Sequence, residues 1–587
     1  CMEQAAASPE EASVREPTVE RLQRLLGEVA GFVDWLRDHH FGTAAAPGTA
    51  DSGLSGKGLL HTLKLILARV LDDPSDFAQQ YARFASLVLQ ASRQELDLSP
   101  EPGDRRFKDP LWQTSPVHRM LLQVYLAWQH SLAAWADAQT LSAQDRQAVQ
   151  FVLDQLLSAL SPSNLPLHPA ALKRAESTEG GSVVQGLKAW VNDVLHHRAM
   201  PQQIRPDAYE VGVDLALTPG AVVFRHELFE LIQYAPATPQ VQARPLLLVP
   251  PQINKFYVFD LKPDNSILGW LTQQGFQVFT LSWRNPDAAM RDAGLQAYVQ
   301  ATLQAMEVVR AITASATLGL ISACAGGLTA LSAMGVLAMQ RRRIVAHHSL
   351  LVTAPLPDSG SVLEVLASRE ALFHSVAWSA QTGTMDGADL AHLFAWLRPH
   401  DLVWSYWVNN YLLGRQPPSL DVLFWDNDAT RLPAALHRDF VDMIDRRVFE
   451  RPGALQLCGT AVDFRRLKVD GYYVGGSEDY LMPWHGVYRA ARHFGGDNTF
   501  VLSNSGHVQS ILRPPRLPRT EHYLGTQWPP QADDWLRHAQ KQEGSWWPHW
   551  SGWMRARAGR TVRAPRALGS AAFPVLQAAP GSYVHGA

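Results

Sequence analysis

Cys324 stands at the apex of the segment Thr317-Leu318-Gly319-Leu320-Ile321-Ser322-Ala323-Cys324-Ala325-Gly326-Gly327-Leu328. An apolar run enters a turn of small residues, and a helical pattern leaves it. Such an elbow forces its apex into a strained backbone conformation. It also holds the apical side chain near the unpaired N–H groups of the following helix, which favour thiolate over thiol. The turn needs small residues two before and two after the nucleophile; here they are Ser322 and Gly326, so glycine is missing from the first place. A buried structural cysteine fits the same letters, so other groups must decide.

Those groups lie later in the chain. The strand pattern Val469-Asp470-Gly471-Tyr472-Tyr473-Val474-Gly475-Gly476 opens into a loop carrying Asp479, and Asn498-Thr499-Phe500-Val501-Leu502 opens into Ser503-Asn504-Ser505-Gly506-His507. Nucleophile, acid and histidine thus fall at strand ends in the order of the α/β-hydrolase plan. Glu478 is a rival to Asp479 and reads as a solvated loop carboxylate. Most of the 22 histidines are unremarkable: His39-His40, His196-His197 and His347-His348 have no cysteine nearby and match no metal-binding helix, Asp193 before His196 being the nearest approach. No metal site is expected, because three distant cysteines cannot build structural zinc.

The elements that must position these groups divide the chain by texture. Residues 1–20 are polar and read as a disordered tail, and Thr43 to Lys57 reads as linker. Residues 21–210 read as a mainly helical N-terminal domain, with apolar spacing of three and four in Leu59–Ile66 and Met120–Trp128. Residues 211–587 alternate short β-rich runs, among them Arg244–Pro250, Gly275–Leu281 and the run from Ile344, with helical segments. That is an α/β pattern with a mainly parallel sheet. An insertion at 356–451, rich in Trp and Phe, is expected to cap the site. Ala311 to Gln340 holds no charged residue; a buried strand and helix explain it better than a membrane span.

The chain has 587 residues, and 52 Lys+Arg against 55 Asp+Glu leave a net charge of −3. No sustained basic field marks a nucleic-acid binder. Cys1, Cys324 and Cys458 make no disulfide framework, so a reducing compartment is expected. Cys458, in the run Leu455–Gly459, reads as core. Cys1 in place of methionine fits a trimmed chain or a mature lipoprotein end, with nothing resembling an export signal beside it.

Several blocks together carry a resemblance. Pro250-Pro251-Gln252-Ile253-Asn254-Lys255, Ser282-Trp283-Arg284-Asn285-Pro286, Ser322–Gly327, Tyr406–Leu412 and Thr430-Arg431-Leu432-Pro433 resemble the signature blocks of polyhydroxyalkanoate synthases, as do Phe107–Trp112 and Asn164–Pro169. The resemblance implies a Cys–His–Asp triad at Cys324, His507 and Asp479. The chain departs from the family at Ser322, usually glycine, and at Tyr480, usually histidine. Phe394–Pro399, the terminal Ala578–His585 and Gln509 are similar to the single-subunit class that prefers medium-length side chains, which makes Gln509 a candidate pocket residue.

The same resemblance implies acyl transfer from (R)-3-hydroxyacyl-CoA onto a growing polyester held as a thioester, with coenzyme A as part of the substrate and a product, and no cofactor. Cysteine suits this because a thioester exchanged onto sulfur stays reactive toward the next hydroxyl. His507 is expected to act as base, and Asp479 either to orient the imidazole or to help deprotonate the 3-hydroxyl. The N–H groups of Ala325, Gln252 and Ile253 are the expected oxyanion hole. A homodimer in the cytoplasm, on the surface of polyester granules and with granule-associated proteins for partners, completes the expectation. A thioesterase or polyester depolymerase on the same fold is one alternative. A non-catalytic granule-surface protein anchored by Trp546-Trp547-Pro548-His549-Trp550 is another, although packing of a C-terminal helix accounts for that cluster too.

Overall fold

The computed structural model describes residues 74–356 and 369–586, together with positions 66 and 69. The tail at 1–20, the stretch Thr43–Lys57, Cys1, His39-His40, all of Leu59–Ile66 but its last residue, and residues 357–368 of the expected cap lie outside the described residues.

Among the described residues four longer helices come first: α1 (Pro74–Ser92), α2 (Pro116–Ala138), α3 (Ala143–Ala159) and α4 (Gly181–His196). Their ends follow local rules. Pro116 opens α2, where a missing N–H costs nothing, and the Ser142 hydroxyl caps α3 by accepting from the Asp145 N–H at 3.1 Å. Within α2 the three- and four-residue spacing puts Leu122, Tyr125 and Leu126 on one face, against Phe107 and Trp112.

The rest is built on an eleven-stranded sheet. Its strands are β1 (Gly220–Arg225), β2 (Phe229–Tyr234), β3 (Leu246–Val249), β4 (Val278–Trp283), β5 (Leu318–Ala323), β6 (Val345–Leu351), β7 (Asp470–Gly476), β8 (Thr499–Ser503), β9 (Glu521–Leu524), β10 (Gln540–Glu543) and β11 (Gln577–Ala578). The spatial order is β10-β9-β8-β7-β6-β5-β3-β4-β2-β1-β11. The pairs from β4 through β3, β5, β6 and β7 to β8 are parallel, and the flanking pairs are antiparallel. Crossover helices cover both faces, so central strands such as β3, β4 and β5 are buried throughout. This is the α/β-hydrolase arrangement.

Side-chain alternation splits β5 between two cores. Leu318 and Leu320 join one with α5 (Leu295–Thr313) and α6 (Cys324–Met339), whereas Ile321 and Ala323 join the other. The uncharged run Ala311 to Gln340 is therefore a buried strand and helix, and no helix among the described residues is long and apolar enough to cross a membrane. Trp546, Trp547 and Trp550 belong to the second core, each no more than 1% exposed. They are packing residues and cannot anchor the protein to a surface. Cys458 corrects the expectation that it is core. It turns the hairpin between Leu455–Leu457 and Thr460–Val462 at φ +50° and is only partly buried, because the buried positions of that run are Leu455 and Leu457.

Between β6 and β7 the chain leaves the sheet and forms the cap, whose described part includes Arg369–Thr382, Gly387–Leu397, Asp421–Asn427 and Ala434–Asp445. Its middle is bonded to the N-terminal helices: Tyr411 Oη donates to the buried Asp193 at 2.8 Å, Arg198 pairs with Asp389 at 2.8 Å, and Trp407 Nε1 donates to Asn164 O at 3.2 Å. Where α4 meets the cap, a Cβ on Gly186 would run into the Tyr411 carbonyl, so glycine permits the close approach.

Candidate active site

The elbow forms as its letters require. β5 ends at Ala323, Cys324 adopts φ +49°, and α6 begins at once. A non-glycine residue in the left-handed region is strained, and here close packing on both sides holds it. A Cβ on Gly326 would meet the carbonyl of Pro250, and one on Gly327 would meet the Thr353 side chain. Ser322 has no such conflict; buried to 2%, its hydroxyl faces Ser349 O on β6 at 3.4 Å. The glycine missing from the elbow is thus one the packing does not need.

Asp479 and His507 sit on the loops after β7 and β8, which are parallel neighbours in the sheet. Asp479 Oδ2 lies 2.7 Å from His507 Nδ1, and Asp479 Oδ1 accepts the N–H groups of Leu481 and Met482 at 3.0 and 2.9 Å. A carboxylate only accepts, so Nδ1 carries the proton and Nε2 is left for the sulfur. The Cys324 sulfur is near enough for its charge to act on the imidazole. Burial works against the imidazolium, but the Asp479 carboxylate, and after it the Cys324 sulfur, lift His507 well above its ordinary value. Glu478, the rival acid, is exposed.

The residues expected to form an oxyanion hole lie on two elements of the sheet region. The loop of Gln252 and Ile253 follows β3, beside β5. Its N–H groups donate to no described residue, while its carbonyls are held by Thr430: Oγ1 donates to Gln252 O at 2.8 Å and to Ile253 O at 2.6 Å. Ala325 is the second residue of α6, where N–H groups lack helical partners. Gln509 is not brought to the triad. It is exposed, two residues beyond His507 on the short helix His507–Ile511, and i and i+2 do not share a helix face.

Some contributors escaped the sequence reading. Thr353, whose Oγ1 donates to Cys324 O at 3.2 Å, had no motif to mark it. Thr430 did, since it opens the block Thr430–Pro433. Tyr480, the second departure, stacks under the Arg398 guanidinium at 5.5 Å, and burial pushes its hydroxyl up to about 12. Among the described residues no group of three or more His, Cys, Asp or Glu could hold a metal ion.

Comparison with known proteins adds sequence relatives. Residues 103–271 match the family described as Poly-beta-hydroxybutyrate polymerase (PhaC) N-terminus. Poly(3-hydroxyalkanoate) polymerase 1 of Ectopseudomonas oleovorans is 42% identical, over 91% of this chain and 95% of its own. Polymerase 2 of the same organism is also 42% identical, over 92% and 98%. The polymerase subunit PhaC of Cupriavidus necator is 35% identical, over 94% and 95%.

Proposed function

The chain belongs to the poly(3-hydroxyalkanoate) polymerase family, and on that footing we propose that it grows its polyester on the sulfur of Cys324. It is an acyltransferase that polymerises 3-hydroxyalkanoate units, and the donor in this reading is (R)-3-hydroxyacyl-CoA. The Cys324 thiolate attacks the thioester carbonyl, the N–H groups of Ala325 and of Gln252 or Ile253 hold the oxyanion, and the departing CoA sulfur takes a proton from His507. His507, now neutral, accepts the proton of the attacking 3-hydroxyl in the next step. What supports the reading most is the line from the Asp479 carboxylate through His507 to a sulfur at φ +49°.

The two roles open to Asp479 are unequal. Its side chain is fully buried, and both oxygens are engaged, one by His507 and one by two backbone N–H groups. Neither oxygen is exposed to a substrate hydroxyl, which favours the orienting role. A hydrolase on this fold needs only water as acceptor, but the nucleophile here is sulfur and the relatives are polymerases. The scaffold alternative loses its anchor with the burial of Trp546, Trp547 and Trp550.

The finer features are proposed on thinner support. Attachment to a polyester surface suits α4, which exposes Val183, Val184, Leu187, Trp190, Val191 and Leu195. A homodimer, a cytoplasmic granule surface, freedom from cofactors and a preference for medium-length monomers rest on family resemblance, and Gln509 can influence that preference only from the rim. Alkylation by iodoacetamide is the test. Modification of Cys324 should abolish CoA release and polymer formation, while a chain modified at Cys458 alone stays active. Full activity with Cys324 alkylated would refute the assignment.

A further inference from the structure

The loop after β3 is held from two sides. Towards the nucleophile, Gln252 Nε2 donates to Thr329 Oγ1 on α6 at 3.0 Å. The Pro250 carbonyl lies against Gly326 of the same helix and takes the Trp283 indole N–H at 2.9 Å. Towards the cap, Thr430 donates to the carbonyls of Gln252 and Ile253, Ala429 pairs antiparallel with Asn254, and the Trp425 indole donates to Lys255 O at 2.7 Å. Asp428 is the charged member of this clasp. Lys255 Nζ stands 2.6 Å from its Oδ1 and the Tyr257 hydroxyl donates to its Oδ2 at 2.9 Å, so each oxygen holds one residue of the loop. The Lys255 side chain is 12% exposed and that of Asp428 28%, so water screens the pair less than it screens a pair on the open surface. Tyr257 is buried, and burial together with the Asp428 charge pushes its hydroxyl up, which keeps it a donor.

We propose that Asp428 is a positioning residue for acyl transfer: by holding Lys255 and Tyr257 it fixes the loop whose Gln252 and Ile253 N–H groups receive the oxyanion. The inference rests on the reading of that loop as part of an oxyanion hole, and adds to it a cap residue that acts through the loop. In the step it serves, the Cys324 thiolate bonds to the thioester carbonyl carbon, whose oxygen takes up the negative charge. The carbonyl re-forms as the carbon–sulfur bond to CoA breaks, and the CoA sulfur leaves with the proton from His507. Donors stabilise such an oxygen only at hydrogen-bond distance, so a small shift of the loop is felt in the transition state. Alkylation of the same thiolate by iodoacetamide expels iodide and builds no oxyanion.

These two reactions of Cys324 separate positioning from general damage in the full chain and its variants. Asp428→Asn and, from the other side of the pair, Lys255→Met should each lower kcat for CoA release from a 3-hydroxyacyl-CoA by about 10- to 100-fold, with KM within about threefold. Alkylation of Cys324, followed on its own peptide by mass spectrometry, should stay within about twofold of the parent rate, because it needs no donors on the loop. The double variant should be no worse than the more damaged single one, since both changes remove the same interaction. Alkylation slowed as much as CoA release, or a change confined to KM, would overturn the proposal. Unchanged kcat in both variants while Thr430→Val lowers it would overturn the proposal and leave the loop its role; unchanged kcat in all three would overturn the reading of the loop as well. A parent that releases no CoA would overturn the polymerase reading, and the proposal with it.

Discussion

Asp479 Oδ2 meets His507 Nδ1 at 2.7 Å while its other oxygen is tied to two backbone N–H groups, so the imidazole is held by a carboxylate that cannot itself turn. Asp479→Asn keeps the shape but can offer an N–H where an acceptor is needed, which favours the wrong tautomer. CoA release should fall by about 10³- to 10⁴-fold, whereas Glu478→Gln, at an exposed position, should change it less than about twofold. Comparable losses in steady-state assays of both variants would move the acid's role away from Asp479.

The same pair makes stability depend on pH. Burial disfavours the imidazolium, but Asp479 and Cys324 raise His507 well above 6.5. The folded-state pKa being the higher one, the pair's contribution is complete below the unfolded value and is lost as pH rises through the folded value. Melting temperatures measured upward from pH 6.5 should therefore show a decline that His507→Gln lacks. Equal slopes in the two proteins would assign the decline to other groups.

Strain at the nucleophile predicts an inverted order of stability. At φ +49° a residue with a Cβ carries about 1–2 kcal/mol of conformational cost that glycine escapes. Cys324→Gly should thus be more stable than Cys324→Ala by about 1 kcal/mol in urea denaturation, with both inactive. An alanine variant that proved the more stable would mean that the elbow is relaxed.

The two flanks of the elbow should respond differently. Gly326→Ala drives a methyl into the Pro250 carbonyl at the base of the oxyanion loop, and is expected to cost about 1–3 kcal/mol and most of the activity. Ser322→Gly removes only a long contact to Ser349 O and should leave kcat within about threefold. Activity assays and denaturation of the two single variants check both.

Thr430→Val removes a hydroxyl that donates to Gln252 O and Ile253 O. A stability loss of about 1–2 kcal/mol is expected, with kcat lowered more than KM is raised, since the hydroxyl steadies donors needed in the transition state. A change confined to KM would place Thr430 in substrate binding.

What could be read from the letters was what local pattern determines. The central strands are uninterrupted apolar runs because both faces of the sheet are covered, and the triad candidates could be ordered because each follows such a run. Other features depend on partners far along the chain. Nothing near Ser322 tells that its hydroxyl faces β6, so the absent glycine looked more consequential than it is. Cys458 sits among residues as apolar as a core strand, and only the hairpin reveals a turn. The tryptophans at 546, 547 and 550 would look the same in a core or on a surface, since aromatic side chains serve both.

Two of the cap's fastenings bear on how the site can open. Residues 425–430 are bolted to the oxyanion loop through Lys255, Tyr257, Gln252 and Ile253. The stretch from Asp389 to Leu413 is instead bonded to the N-terminal region, through Arg198, Gln155, Gln203, Asn164, Asp193 and Arg174. A cap swinging as one plate would tear at the loop of Gln252 and Ile253. Movement that spares the chemistry would start in the stretch bonded to the N-terminal region, with the leading helices as its lever. A load applied to α4 would then be felt in the stretch from Asp389 to Leu413 before it reached the catalytic groups.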